Sequence, residues 1–245
     1  VKLTRIALAS VALLSTGVVG ASCSTAKSAP SSSTTEGRQL VGLFRLRPGT
    51  DEDGQLSGSW FQMVEPGGTV AGGPYMKNAS SSAEGGDATL LTPGTAGGLR
   101  TGSYQSQPNP AFDAGGNALA DSILAPTEFS GIKFGVSTNR IDPQTNKKVP
   151  PPTVVLHDGV LTANVSSWAV SWSRQNFNQG APKPSESSGA TSTAQPQATI
   201  ARTSATGAID TATGHFYLEW TSLIVRGPFN GFTGVWHLQG VYSRS

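Results

Sequence analysis

The sequence predicts an all-β protein, an antiparallel sandwich or barrel of about ten strands with at most one short helix. Three observations carry that expectation. The 30 glycines and 16 prolines of the 245-residue chain break its apolar runs into short pieces bounded by turn residues. Several of those pieces alternate apolar and polar residues with a period of two, the mark of half-buried strands. Asp158-Gly159, set between two β-prone runs, carries the signal of a tight hairpin.

The candidate strands are residues 39–45, 58–64, 89–91, 99–105, 131–137, 153–157, 160–173, 203–209, 215–225 and 234–242. Alternation is clearest in the later ones. Trp168, Val170 and Trp172 share one face of their run, against Ser167, Ala169, Ser171 and Ser173 on the other. Phe216, Leu218 and Trp220 oppose His215, Tyr217 and Glu219, and Trp236, Leu238 and Tyr242 oppose His237 and Gln239. Asp210 to Gly214 suits a longer hairpin loop, and the one plausible helix covers 117–124, ahead of Pro126. Ser57-Gly58-Ser59-Trp60, Thr101-Gly102-Ser103-Tyr104, Thr206-Gly207-Ala208-Ile209 and Thr233-Gly234-Val235-Trp236 repeat one pattern. In each, a glycine can form a bend at a strand start and the large residue can turn into the core.

The N-terminal segment is of another kind. Lys2 and Arg5 precede an uncharged, mostly apolar stretch over 6–20, shorter than the ~20 residues that span a bilayer. Gly20, Ala21 and Ser22 then lead into Cys23, the only cysteine. This segment resembles the lipobox signal peptide of bacterial lipoproteins, with Gly20 in place of the usual larger aliphatic residue. The resemblance implies cleavage before Cys23 and a diacylglycerol on its sulfur. Two acyl chains suffice for stable anchoring to the cell membrane on the extracytoplasmic side.

Residues 1–22 are thus expected to be the signal peptide and 23–37 a polar tether with too few apolar groups to order itself. Residues 38–245 form a single β-domain, interrupted by a low-complexity loop at about 179–199. Lys2 and Arg5 are two of the seventeen basic residues, and the remaining fifteen balance the fifteen Asp and Glu. The mature chain is therefore neutral, which argues against nucleic acid as a partner and leaves the lipid as the expected membrane attachment.

No Gly-x-Ser-x-Gly nucleophile motif and no phosphate-cradling glycine motif occurs, and no cofactor is expected. His157-Asp158 sits in the hairpin turn, where Asp favours the turn by bonding nearby backbone. His215 and Glu219 lie on one strand face but ~13 Å apart, too far to share one ion, and His237 reaches Glu219 only if their strands pair. The tryptophans of the alternating runs are read as core. Loops carry function more often than strands do, and Phe177, Asn178, Arg226, Phe229, Asn230 and Phe232 combine aromatic faces with amide and guanidinium donors near strand ends. They are the candidate ligand-binding residues.

The strings Phe177-Asn178-Gln179-Gly180 and Gly227-Pro228-Phe229-Asn230-Gly231-Phe232-Thr233-Gly234 resemble a family of uncharacterised actinobacterial secreted proteins and lipoproteins. That resemblance implies an all-β envelope domain and assigns no activity. The function expected is a non-enzymatic binding module for a small ligand, a glycan or an envelope partner. An envelope hydrolase acting on glycans or esters and a metal-capture protein are the alternatives.

Overall fold

A computed structural model describes residues 37–183 and 204–244. The expected leader, Cys23, nearly all of the tether, and most of the low-complexity loop lie outside the described residues. What is described is all-β, as the sequence predicts, with a large curled antiparallel sheet and further smaller sheets. Among the described residues no helix is long and apolar enough to cross a membrane.

The strands in chain order are β1 (Arg38–Leu40), β2 (Gly42–Leu46), β3 (Thr50–Glu52), β4 (Gln55–Ser57), β5 (Trp60–Thr69), β6 (Gly73–Tyr75), β7 (Thr89–Leu90) and β8 (Gly98–Arg100). There follow β9 (Thr127–Phe129), β10 (Ile132–Thr138), β11 (Thr153–His157), β12 (Val160–Asn164), β13 (Trp168–Trp172) and β14 (Gln175–Asn178). The last three are β15 (Ala205–Ile209), β16 (His215–Leu223) and β17 (Thr233–Arg244).

The large sheet runs β1-β11-β12-β15-β16-β17-β2-β8, and β5 adds β6 and β7 beside β17. A second sheet runs β14-β13-β10-β9, and β3-β4 form a separate hairpin. Strand β17 is the spine. One of its edges pairs with β16 from Thr233 to Val241, while the other pairs with β5 at Thr233–His237 and then with β2 at Gly240–Arg244. Gln239 fills the joint between those two partners. Its Oε1 accepts hydrogen bonds from the backbone N–H of Gly58 (2.8 Å) and from Nη2 of Arg47 (3.0 Å), and its carbonyl accepts from Arg47 N–H (2.8 Å).

Alternation sets the core as the sequence indicates. Phe216, Leu218 and Trp220 of β16 and Trp236 and Leu238 of β17 are buried, while His215, Tyr217 and Glu219 face out. Trp168 of the small sheet packs edge-on between Trp220 and Trp236 of the large one, at 5.2 and 5.3 Å between centroids. Phe61 meets Phe134 across the same gap. The two sheets therefore share one apolar interior, with each buried tryptophan removing ~150–250 Å² from water.

Three expectations are corrected. Of the run 99–105 only Leu99 and Arg100 lie in a strand, β8; the chain leaves the sheet at Thr101, whose Oγ1 donates to the Leu40 carbonyl (2.8 Å). The run 160–173 is not one strand. Asn164 Oδ1 accepts from Ser166 N–H (3.0 Å), the chain turns through Val165–Ser167, and β12 and β13 then enter different sheets. Residues 117–124 are not helical. Their amides are drawn into cross-chain pairing instead, Ala118 N–H to the Lys133 carbonyl and Leu119 N–H to that of Ala111, and Gly115-Gly116 just before them favours a turn. The Asp158-Gly159 hairpin is present: both residues take positive φ (48° and 80°) between β11 and β12.

Candidate functional site

Between the two sheets lies an apolar cavity of about 50 Å³. Phe61 and Met63 of β5 and Trp236 of β17 wall it on the large-sheet side. Phe129, Phe134, Val170, Trp172 and Phe177 wall it on the small-sheet side, with Gln179, Ile224 and Phe229 completing the lining. The residues lie there because strand alternation points them inward; Val170 and Phe177, for example, are cross-strand partners in β13 and β14.

Phe229 belongs to the loop between β16 and β17. Its ring contacts Trp172 (5.2 Å), Phe129 (5.7 Å) and Phe232 (5.8 Å), and it stays half-buried. The loop holds its own shape. Ile224 N–H donates to the Phe232 carbonyl (2.7 Å), Gly231 N–H to that of Ile224 (2.9 Å), and Arg226 N–H to Asn230 Oδ1 (2.8 Å). Gly227 takes φ 68°, and a Cβ there would come within 3 Å of the Phe177 ring. That contact locks the loop against β14.

Of the six candidate residues, Phe177 and Phe229 line the cavity and Phe232 packs behind Phe229. Arg226 and Asn230 are exposed and bond to each other in the loop. Asn178 is buried and committed to structure. Its N–H donates to Gln144 Oε1 and its Nδ2 to the Ser166 carbonyl, while its Oδ1 accepts from Gly180 N–H, each at 2.9 Å. Gln144 also donates through Nε2 to the Val225 carbonyl (2.6 Å), so one side chain joins β14 to the start of the Phe229 loop.

Sequence reasoning missed Gln144, Gln179 and the cavity role of Trp172. Trp172 donates Nε1 to the carbonyls of Phe129 (3.0 Å) and Ile132 (3.2 Å), which fixes its ring at the β9–β10 turn. Gln179 is 2% exposed; its carbonyl accepts from Trp220 Nε1 (2.8 Å), while its side-chain Oε1 has no hydrogen-bond partner. Trp236 Nε1 and Ser222 Oγ are equally without partners in the same interior. Buried polar atoms in this condition are rare.

The histidines lie elsewhere, on the outer face of the large sheet. His237 stands opposite Glu219 in the register, with Nδ1 2.7 Å from Glu219 Oε1. Its ring is parallel to Trp60 (4.9 Å, 1°) and to Tyr217 (6.1 Å, 4°), so these three outer aromatics turn their faces to one another. His157 pairs with Asp158 (3.2 Å) in the hairpin turn, and His215 Nδ1 meets Thr213 Oγ1 (2.9 Å). Among the described residues no three His, Cys, Asp or Glu side chains come together to hold a metal ion.

The fold and this cavity define an all-β domain with a small aromatic-lined interior site between its two main sheets. Compared with protein-family models, curated proteins and solved structures, the chain matches none.

Proposed function

We propose that the protein is a cell-envelope lipoprotein, anchored through Cys23, whose β-domain is a non-enzymatic binding module for a small apolar ligand. The apolar cavity under Phe229 carries this reading, because its lining is almost wholly aromatic and aliphatic. Sites for small molecules are concave, mostly apolar and largely pre-formed. An apolar ligand also suits the chemistry better than a glycan does. Sugar stacking needs bare ring faces, and the outer aromatics Trp60, His237 and Tyr217 are stacked on each other.

The test is titration of the protein with xenon and with methane to propane, small enough for a cavity of about 50 Å³, followed by the indole N–H signals of Trp172 and Trp236. Saturable shifts confined to those signals are expected, and Val170→Phe, which fills the cavity from β13, should remove them. Shifts that never saturate, or that survive Val170→Phe, would sink the reading. The anchor is tested separately: Cys23→Ala should release the protein from membranes, and unchanged fractionation would refute the lipid.

A further inference from the structure

The outer face of the large sheet carries a second concavity, independent of the apolar cavity. It is a groove of about 350 Å³ lined by Arg45, Arg47, His215, Gln239 and Val241, with Leu46, Pro48, Phe216 and Gly240 contributing the rest. We propose that this groove is a binding site for a phosphate-bearing ligand.

The register builds it. Arg45 of β2 is opposite Val241 of β17, and Val241 is opposite His215 of β16, so these side chains form one row across three strands. Arg47 follows Arg45 two residues on and therefore emerges on the same face, its Cα ~6.6 Å away. Strands β2 and β16 flank β17, which sets the Cα atoms of Arg45 and His215 ~10 Å apart on opposite walls, with the Arg45 guanidinium lying beside Gly97 at the β8 side of β2. Gln239 and Val241 make the floor.

The chemistry of the lining is one-sided. Arginine offers a fixed fork of N–H donors matched to phosphate oxygens. None of the ion pairs among the described residues involves Arg45 or Arg47, and no carboxylate lines the groove itself; Asp210 stands behind it, its Oδ2 accepting from the Thr213 hydroxyl that meets His215, so the two arginines carry the charge. Arg47 is oriented by its bond to Gln239 Oε1, and His215 by Thr213 Oγ1 at its Nδ1. Val241, 37% exposed, gives an apolar rest for the group that carries the phosphate. The overall neutrality of the mature chain hides this local concentration of positive charge.

Free phosphate esters and phospholipid headgroups present the same chemistry, and the two sources are separable. Inorganic phosphate and glycerol phosphate are titrated into the full chain with Cys23→Ala, following the His215 ring and Gln239 side-chain signals, with glycerol as the neutral control. Saturable shifts with both phosphates and none with glycerol are expected, weakened at least about fivefold by Arg45→Gln, the loss of one charge-assisted contact. Arg45 is exposed and makes no ion pair, so this change leaves the fold intact. Sedimentation with phosphatidylglycerol vesicles, each measurement paired with Arg45→Gln in the same background, identifies the lipid source if the variant loses binding. Saturation by glycerol phosphate without vesicle binding identifies a soluble ester. No saturation up to about 10 mM, where even weak sites fill, or binding indifferent to Arg45→Gln, would overturn the proposal.

Discussion

His237 Nδ1 lies 2.7 Å from Glu219 Oε1, joining β16 and β17 across the outer face of the large sheet. The bond from His237 holds the Glu219 carboxyl below its ordinary value of 4.5, against the opposing effect of burial. A carboxylate with a depressed folded-state pKa stabilises the fold above the unfolded value, and that contribution is lost as pH falls through the folded value. Glu219 is 52% exposed, so solvent screening limits the effect to about 0.5–1 kcal/mol. Urea unfolding of Glu219→Gln should therefore fall below the native chain by that amount at pH 6–7. Since the folded value lies below 4.5, the two curves should converge as the native carboxyl is protonated. A gap that persists at the lowest pH would assign the loss to the neutral hydrogen bond and the placing of the His237 ring instead of to charge.

Phe229 is half-buried and touches three aromatic rings. A fully buried Phe→Ala change costs ~3–5 kcal/mol, so Phe229→Ala should cost about half of that, ~1.5–2.5 kcal/mol, with the curled sheet intact by circular dichroism. The same change opens the mouth of the cavity. It should quicken ligand exchange at the Trp172 indole even where the equilibrium affinity changes little.

The repeated hydroxyl-Gly-x-large pattern separates into different physical needs. A Cβ on Gly207 would fall 1.9 Å from the Tyr217 carbonyl oxygen, and backbone cannot yield there. A Cβ on Gly234 would fall 2.2 Å from Gln179 Oε1, the end of a side chain that can shift. Gly207→Ala should thus cost about 3 kcal/mol or more and Gly234→Ala about 1–2 kcal/mol. Equal losses in chemical denaturation would show that Gln179 is as rigid as backbone.

The sequence carried the all-β class and most of the strands, because alternation in β16 and β17 and the Asp158-Gly159 turn are local signals. The break at Val165–Ser167 was legible as a slip of phase: Leu161, Ala163 and Val165 are the apolar positions of the first half, Trp168, Val170 and Trp172 those of the second, and the odd-to-even change falls where β12 and β13 part into different sheets. Phe177 and Phe229 were legible as site candidates through their aromatic character near strand ends, and both line the cavity. Asn178 had the same local appearance. Its amide is instead taken up by Ser166 and Gly180, partners within the chain's own turns that composition does not reveal. The Arg45–His215 groove joins residues 170 positions apart, and its charge vanishes in the chain's overall balance.

Gln239 provides the last test, because one side chain serves both strands that share an edge of β17. Its Oε1 accepts from Gly58 N–H and Arg47 Nη2, and its N–H donates to Ser59 Oγ (3.2 Å). Gln239→Met keeps the length of the side chain and removes the oxygen acceptor. The part-buried Gly58 N–H is then left without its partner, which costs ~1–3 kcal/mol. Arg47, exposed, can turn to water and adds little. The loss should be local before it is global: amide exchange should quicken at Gly58 while the β16–β17 amides keep their protection. Uniform loss of protection along β17 would instead mean that the joint at Gln239 holds the whole sheet rather than the meeting of β2 and β5.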